Sequence, residues 1–351
     1  MPRDRIISGW LIAVVLLIVT TIIYGGWVRI TRSGLSIVEW NVVSGVVPPL
    51  NAAGWDAEFA KYRSTPEYQK VNAGMSLSEF KDIYYREYNH RLLGRIAGLA
   101  FVVPLVVFLI QGRLPRQRIP LLLGIGLLFA VQGLIGWLMV KSGLTDQPQV
   151  SHHRLVLHLL AALALLAACL WLTFDYVAAR GSPGNGVSLP GLRRLAWATL
   201  AAVVLQIAFG ALLAGLKAGH LSDTFPKMLG QWLPEGLLRQ DGLIANLLEN
   251  PLTVHFQHRW FGFATAGVAL ALFLGARRES GAGRLPPRVR KSIAGVVHLI
   301  LLQVVAGVLL VVWNVPPHLA SLHQAIAVAI FGLALFVVHQ LQPDCPAQIN
   351  A

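Results

Sequence analysis

Eight apolar segments, each long enough to cross a lipid bilayer as a helix, constrain the fold of this chain most strongly. About 20 consecutive apolar residues span the hydrocarbon core as an α-helix. Windows of that length place the segments near residues 6–28, 92–110, 120–140, 155–176, 195–217, 255–275, 292–313 and 320–340. Of the 351 residues, 55% are hydrophobic and 13% are charged, which is too little charge to solvate a globule of this size. The sequence therefore predicts an all-α integral membrane protein with eight transmembrane helices.

The placement of the basic residues predicts how these helices are oriented. The net charge is +13, and arginine and lysine concentrate in alternate connections between the apolar segments. They are Arg3, Arg5, Arg113, Arg116, Arg118, Arg180, Arg193, Arg194 and the six basic residues from Arg277 to Lys291. All of them fall on one side if the N-terminus is inside, which is the positive-inside pattern of membrane proteins. We expect both termini in the cytoplasm and no nucleic-acid partner.

The first segment and the two cysteines bear on the compartment. The first segment is too long for the apolar region of a typical signal peptide and lacks a clear cleavage site. We therefore expect a retained first helix and a bacterial inner-membrane protein. Cys169 lies within the fourth segment and Cys345 in the C-terminal tail. Because the two cysteines lie at different depths, near or on the cytoplasmic side, we expect no structural disulfide between them.

The second half of the sequence repeats the first. At an offset of 168 residues, the matching sets are His90, Arg91 and Gly94 with His258, Arg259 and Gly262. Offsets of 185, 171 and 165 residues match Gly25 with Gly210, Gln132 and Gly136 with Gln303 and Gly307, and His153 and His158 with His318 and His323. We predict two pseudo-symmetric four-helix bundles in parallel topology, residues 1–180 and 195–351, joined by a cytoplasmic connector at residues 181–194.

Four histidines recur near the starts of helices that run in the same direction. Parallel repeats place His90, His158, His258 and His323 near one depth, two in each bundle. Two neutral imidazoles on facing helices can bind a planar haem iron from opposite sides. Interhelical hydrogen bonding is the alternative for each histidine taken singly. Zinc fits poorly, since no Cys, Asp or Glu accompanies the histidines at metal-ligand spacing, so the recurrence favours two haem sites.

Charged residues beside the histidines distinguish the two halves. Arg91 and Arg259 follow their histidines, and they either extend to lipid headgroups or bind haem propionates. Glu87 lies three residues before His90 on the same helix face, whereas its counterpart in the second half is His255. An exposed interfacial glutamate is one interpretation of Glu87. A group for proton transfer or charge stabilisation at a reacting site is the other.

The connections on the non-cytoplasmic side have irregular sequences. We expect residues 31–83 to form a long loop that acts as a lid or pocket wall, with a shorter counterpart at residues 220–251. The stretch Glu87–Arg95 would then open an apolar helix at the membrane interface. The histidines interpreted as interface or supporting groups are His152, His153, His220, His255 and His318. His298 and His339 have no repeat partner and receive no role.

In combination, these residues resemble the haem A synthase family, and the resemblance covers nearly the whole chain. Its motifs are Gly25–Ser36, Glu87–Arg91 with Gly94-Arg95, Gln132-Gly133 with Gly136-Trp137, Arg154–His158, Gln206–Gly219, His255–Arg259 and His323-Gln324. Bacillus-type members carry a cysteine pair in the first loop, and this chain has none there. It is similar instead to the alphaproteobacterial and mitochondrial branch.

The resemblance implies an oxidoreductase. Such enzymes convert the methyl group at C8 of haem O to a formyl group through hydroxylated intermediates, which gives haem A for cytochrome oxidase assembly. In this family the C-terminal histidine pair, here His258 and His323, holds a haem b cofactor. Arg259 and Arg91 are the accompanying candidates for cofactor binding.

The resemblance also assigns the substrate site and the partners. His90 and His158 would flank haem O through its iron, and Glu87 would be the catalytically important carboxylate. The implied partners are haem O synthase, an electron donor and membrane lipid. The sequence leaves open which donor acts, whether water or dioxygen supplies the formyl oxygen, and whether the chain forms a homo-oligomer.

Two other classes of protein compete with the enzyme. A non-catalytic dihaem cytochrome would pass electrons between quinol and a partner, and a transporter could be built on the same repeats. The carboxylate of Glu87, which has no counterpart in the second half, favours the enzyme over the cytochrome. The scarcity of charges and of broken helices within the apolar segments disfavours the transporter.

Overall fold

The computed structural model describes residues 5–41, 43–145, 147–177 and 189–342, which form helices and loops without a β-strand. The α-helices in these ranges are α1 (Arg5–Ile30), α2 (Ala52–Arg63), α3 (Pro66–Lys70), α4 (Leu77–Ile110), α5 (Ile119–Lys141), α6 (His152–Val177), α7 (Pro190–Gly215), α8 (Leu243–Glu249), α9 (Pro251–Gly281), α10 (Pro287–Val312) and α11 (Pro317–Gln340).

Eight of these helices are long and apolar enough to cross a membrane, which confirms the predicted all-α membrane fold. They are α1, α4, α5, α6, α7, α9, α10 and α11. The largest difference from the sequence-based bounds is at α4, which has 34 residues and begins at Leu77 rather than near residue 92. The prediction that Glu87–Arg95 opens this helix is therefore wrong.

The early start of α4 has a local cause. Ser76 and Glu79 form a capping box, in which the Ser76 side chain accepts from the Glu79 backbone and the Glu79 side chain accepts from the Ser76 backbone. The first turns of α4 then bury Phe80, Ile83 and Tyr84. Glu87 consequently lies inside a continuous helix, where its side chain can face other parts of the fold.

The prediction of an irregular loop over residues 31–83 is also wrong in part. Asn51 caps α2 by accepting from Gly54 N, and Thr65 caps α3 by accepting from Tyr68 N. Both helices are too short to be stable alone, and packing supplies the stabilisation. Buried side chains of α2 and of the first turns of α4 form one cluster, namely Trp55, Phe59, Tyr62, Phe80, Ile83 and Tyr84.

Polar contacts fasten this cluster at its edge. The Tyr62 hydroxyl accepts from Asn72 Nδ2 at 2.7 Å, and burial raises the pKa of Tyr62 to about 12. We refer below to residues 31–76 as the α1–α4 connection. Its counterpart, residues 216–250, is the α7–α9 connection and contains the short helix α8.

The chain divides into two compact units, with the boundary inside α6. One unit comprises the described residues from Gly9 to Leu166, and the other comprises those from Ala167 onward together with those up to Ser8. We call them the first and the second unit. Cys169 is a buried free thiol. The predicted connector around Gly181 and the tail with Cys345 lie outside the described residues.

The helices pack differently in the two units. In the second unit α7 packs on α9, α9 on α10, α10 on α11, and α11 on α7, so four helices close a ring. In the first unit α4 bridges α1 and α5. Trp10 Nε1 of α1 donates to the Ala100 carbonyl at 2.7 Å, and Phe101 packs against both Trp10 and Phe129 of α5, with ring centroids 5.3 and 5.2 Å apart.

Candidate functional site

The four histidines predicted to bind iron lie on four different helices, two in each unit. His90 of α4 and His158 of α6 belong to the first unit, and His258 of α9 and His323 of α11 belong to the second. Each imidazole is partly buried. In the second unit the two rings face each other, with centroids 6.4 Å apart and planes at 66°.

The spacing of His258 and His323 fits axial ligation of a haem iron. An imidazole nitrogen binds a transition metal at about 2.0–2.1 Å, so two rings on opposite sides of one ion have centroids roughly 6.3 Å apart. The observed separation of 6.4 Å agrees with that value. In addition, His323 Nδ1 is buried and has no hydrogen-bond partner in the described part of the chain. The donor set therefore suits a haem group.

Each of the four imidazoles packs against a glycine of a neighbouring helix. A Cβ atom added at these glycines would lie 2.7–3.3 Å from the Cε1 atom of the facing ring. The pairs are Gly25 with His90, Gly136 with His158, Gly210 with His258, and Gly307 with His323. A real Cβ atom does not come closer than about 3 Å to another heavy atom, so glycine at these positions lets each ring lie flush against the adjacent helix. The contact fixes ring orientation in both units.

Glutamines one helical turn before two of these glycines hold two of the histidines. Gln132 Nε2 contacts His158 Nδ1 at 3.2 Å and donates to the His158 carbonyl at 3.1 Å. Gln206 Nε2 makes the same two contacts with His258, at 3.2 and 2.9 Å. In the sequence, Gln132 is recognisable as part of the repeat, but no role is predicted for either glutamine. Their spacing of four residues from a glycine was the available signal.

The interpretation of Glu87 as an exposed interfacial residue is wrong, because only 2% of its surface is accessible. Its Oε2 accepts from Ser36 N at 2.7 Å, Ser36 Oγ at 2.8 Å and Ile37 N at 3.0 Å. Its Oε1 accepts from Arg91 Nε at 3.0 Å and from a terminal nitrogen of Arg91 at 2.6 Å. Five hydrogen bonds thus join the carboxylate to α4 and to the α1–α4 connection.

Arg91 extends this network along the α1–α4 connection. Its terminal nitrogens donate to the carbonyls of Ile37 at 2.8 Å and Glu39 at 3.0 Å. One turn further along α4, Arg95 donates to the Asn41 carbonyl at 2.9 Å. These bonds lay residues 36–41 against the helix that carries His90. Arg91 is therefore engaged mainly by protein acceptors.

The second unit has a simpler form of the same arrangement. His255 is 2% exposed, and its Nε2 accepts from Arg259 Nε at 3.1 Å. Arg259 also donates to the carbonyls of Thr224 at 2.8 Å and Lys227 at 3.3 Å in the α7–α9 connection. The other terminal nitrogen of Arg259 is buried and has no hydrogen-bond partner among the described residues. That nitrogen is available to an anionic group.

A cavity of about 180 Å³ lies beside this network in the first unit. The Arg91 guanidinium lies over the Trp40 ring, 5.8 Å from its centroid, and the Lys141 ammonium lies over the Trp137 ring, 5.2 Å from its centroid. The centroids of the two indole rings are 6.4 Å apart. The lining residues are Val38, Glu39, Trp40, Arg91, Trp137, Val140, Lys141 and Leu144. The α1–α4 connection thus forms one wall of a pocket, as the sequence suggested for a lid or pocket wall.

The remaining histidines fall into two groups. His152, His153 and His318 lie in the first turns of α6 and α11, and the His220 ring contacts Asn314 Oδ1 at 2.9 Å. His339, which received no role from the sequence, is fully buried in the second unit. Its Nε2 lies 2.9 Å from Asp175 Oδ1, and its Nδ1 lies 3.0 Å from the amide of Gln340. No sequence repeat pointed to this pair.

Fold and site together define a class of protein: a multi-pass membrane protein with paired imidazoles that suit axial ligation of haem. Comparison with known sequences agrees. The profile of the family described as cytochrome oxidase assembly protein, COX15-CtaA, matches residues 8–335. The chain belongs to this family.

Relatives named Heme A synthase are similar over nearly the whole chain. The protein of Parvibaculum lavamentivorans is 40% identical over 338 residues, covering 95% of this chain and 94% of the relative. That of Rhodospirillum centenum is 42% identical over 348 residues, covering 98% and 91%. That of Nitrosospira multiformis is 40% identical over 342 residues, covering 96% and 93%.

Proposed function

We propose that this protein is a haem A synthase, which oxidises the C8 methyl group of haem O to a formyl group by way of hydroxylated intermediates. The observation that carries the proposal is the 6.4 Å ring separation of His258 and His323 in the second unit, which suits two axial ligands of one haem iron. The names of the relatives agree with this reaction. The product would serve cytochrome oxidase assembly, consistent with the family description.

The second unit is the proposed cofactor site, with haem b held by His258 and His323. Haem supplies one-electron redox chemistry when it is bound. The free donor of Arg259 would bind a propionate, because a buried guanidinium nitrogen gains most from a carboxylate acceptor. Gln206 holds the His258 ring in place. Arg91 is a weaker candidate for propionate binding, since Glu87 and two carbonyls already engage it.

The first unit is the proposed substrate site, with haem O between His90 and His158 and with Glu87 as the neighbouring carboxylate. Glu87 and Arg91 position residues 36–41 against α4 beside His90. A carboxylate at this place can stabilise positive charge or exchange a proton during oxidation of the methyl group. Because the eight helices are apolar, a substrate with a hydrocarbon tail would enter laterally from lipid.

The location and the partners follow from the same proposal. Eight apolar helices with basic residues in alternate connections suit a bacterial inner membrane with both termini in the cytoplasm. The bundle within residues 1–180 would bind substrate, and the bundle within residues 195–351 would bind haem b. Haem O synthase would supply the substrate, and an electron donor would serve the haem b site.

Haem extraction from a suitable host tests the proposed reaction. The host makes haem O but not haem A, and its membranes are compared with and without the chain by chromatography. We expect haem A, or hydroxylated haem O, only when the chain is present. Unmodified haem O beside a well-expressed, haem-loaded protein with an active electron supply would reject the synthase and favour a dihaem electron carrier.

A further inference from the structure

We propose that the two histidines of the first unit differ in function: His158 is the permanent ligand of the substrate iron, and His90 is the ligand that leaves it. This inference rests on the proposed function, because it assigns roles within the proposed haem O site. It comes from a difference in what supports the two rings. His158 is held by a glutamine, whereas His90 is not.

The support of His158 comes from Gln132 of α5. Its amide contacts both His158 Nδ1 and the His158 carbonyl, at 3.2 and 3.1 Å. The amide oxygen of Gln132 is buried and has no hydrogen-bond partner among the described residues. An imidazole that binds iron through Nε2 carries its proton on Nδ1, and that N–H needs an acceptor. Rotation of the Gln132 amide would present this oxygen to Nδ1, in exchange for the hydrogen bond from Nε2 to the His158 carbonyl.

His90 has no such acceptor. Its Nδ1 atom is buried, and no described residue forms a hydrogen bond with it. Gln206 lies four residues before Gly210, which faces His258. In the repeat Gly210 matches Gly25, so the residue equivalent to Gln206 is the one four positions before Gly25, residue 21. That residue is Thr21, whose hydroxyl donates to the Leu17 carbonyl of its own helix at 2.7 Å. The short threonine side chain is thus already occupied.

The second unit provides the contrast. A glutamine stands four residues before each of its two histidine-facing glycines: Gln206 before Gly210, and Gln303 before Gly307. Gln206 contacts His258 Nδ1 at 3.2 Å. The buried Gln303 amide oxygen and His323 Nδ1 both have no hydrogen-bond partner in the described part of the chain. A site that holds a cofactor has two glutamines, and the proposed reaction site has one.

Outer-shell hydrogen bonds make an imidazole a stronger and better oriented ligand, and losing one weakens metal binding by about 10- to 100-fold. His90 is therefore the weaker ligand of its pair. Its departure would open a coordination position on the side of α4, the helix that carries Glu87 three residues before His90. The weaker ligand and the proposed catalytic carboxylate therefore belong to the same helix.

Binding of haem O to the purified full-length protein tests the assignment. Haem O is added to the wild type and to His90→Ala and His158→Ala variants, and the haem O retained after gel filtration is measured by extraction and chromatography. We expect His90→Ala to retain haem O within about 3-fold of the wild type and His158→Ala to lose at least about 10-fold. The opposite order, or equal losses, would overturn the inference. If neither substitution changes retention, this pair does not hold haem O, and the proposed substrate site fails as well.

A second pair of variants leaves both histidines intact. Gln132→Leu removes the support of His158, and Thr21→Gln gives His90 the residue that His258 has; Thr21→Val is the matched control. With haem O bound and reduced, we measure the rate of carbon monoxide binding and the iron–histidine stretching frequency after photolysis. We expect Thr21→Gln to slow carbon monoxide binding by about 10-fold and Gln132→Leu to lower the frequency, while Thr21→Val changes neither. An unchanged frequency in Gln132→Leu would show that the retained ligand is not His158.

Discussion

The two units contain the same contact between histidine and glycine, and they differ in the groups that surround it. In the second unit four helices close a ring, and the buried residue one turn before the arginine is His255. In the first unit the corresponding residue is Glu87, which accepts three hydrogen bonds from the α1–α4 connection and two from Arg91. Under the proposed function, the difference means that a repeated scaffold was specialised at few positions, so that one copy would hold a cofactor and the other would act on a substrate.

The largest expected effect comes from making the first unit resemble the second at one position. Glu87→His removes the acceptor of the Ser36 and Ile37 amides and leaves buried donors unpaired, a cost of about 3 kcal/mol. If these hydrogen bonds position the site in the transition state, losing them raises the barrier by the same amount, and haem A formation falls about 100-fold. The measurement is the ratio of haem A to haem O in membranes. Haem b content should not change, because His258 and His323 lie in the other unit.

Glu39→Gln is the matched control for this substitution. Glu39 is a carboxylate of the same connection, but its side chain is 47% exposed. We expect normal haem A formation from this variant. Undiminished haem A formation by Glu87→His would remove the functional contrast between the units.

The buried pair of His339 and Asp175 predicts the next largest effect and concerns the stability of the second unit alone. Removing one partner of a buried hydrogen bond leaves the other polar group unsatisfied, which costs about 1–3 kcal/mol. His339→Ala should therefore lower the temperature at which haem b is released on heating. His298→Ala is the control, since His298 is exposed and its ring contacts the Ala294 carbonyl of its own helix at 2.7 Å. Equal release temperatures would show that the pair does not stabilise this unit.

Much of this fold could be predicted from the sequence, because a lipid bilayer imposes a length on each apolar helix. The eight spans followed from that length alone. The helices α2 and α3 could not be found in this way, because they are short and polar on one side. Their formation depends on Phe59 and Tyr62 packing against Phe80, which is distant in sequence.

The candidate site was predictable by comparing the two halves of the repeat. His90, His158, His258 and His323 were found because each has a partner at a fixed offset, and Glu87 because it has none. The hydrogen bonds that Ser36 donates to Glu87 join residues 51 positions apart, and no periodicity encodes such a pairing. Nothing in the sequence showed that Asp175 and His339 meet, since they lie 164 positions apart on different helices.

The glycines that face the histidines allow a graded comparison of the units. A Cβ atom would approach the imidazole Cε1 to 2.7 Å at Gly25 and 2.9 Å at Gly136, but only to 3.1 Å at Gly210 and 3.3 Å at Gly307. Overpacking of this kind costs about 1–3 kcal/mol. Alanine should therefore reduce haem O binding in the first unit more than haem b binding in the second. Chromatography of both haems from each variant measures the order.

Gly133→Ala is the control for this series, because an added Cβ atom at Gly133 has no neighbour within 4 Å. We expect it to bind both haems as the wild type does. Equal losses at all four histidine-facing positions would mean that the two units tolerate displaced rings alike.

The smallest effect concerns the surface of the α1–α4 connection, where Lys61 contacts Glu39 at 3.1 Å and Glu58 at 2.8 Å. The hydrogen bond from Lys61 lowers the pKa of Glu39. A lowered carboxyl pKa stabilises the folded state above the pKa of the unfolded chain, about 4.3, and this stabilisation is lost as the pH falls through the folded value. Since both groups are exposed, the contribution is less than about 1 kcal/mol and is weakened by salt.

Limited proteolysis of the α1–α4 connection in the wild type and in Lys61→Met measures this contribution. At pH 7 and low salt the variant should be cleaved slightly faster, and the difference should shrink as the pH falls below the unfolded-chain pKa of about 4.3 and through the lower folded pKa of Glu39. Cleavage of the α7–α9 connection should be the same in both proteins, because Lys61 belongs to the first unit. A difference that persists at high salt and at a pH low enough to protonate Glu39 would assign the effect to packing of the Lys61 side chain. In that case the buried hydrogen bonds accepted by Glu87 would be the main polar interactions that hold this connection against α4.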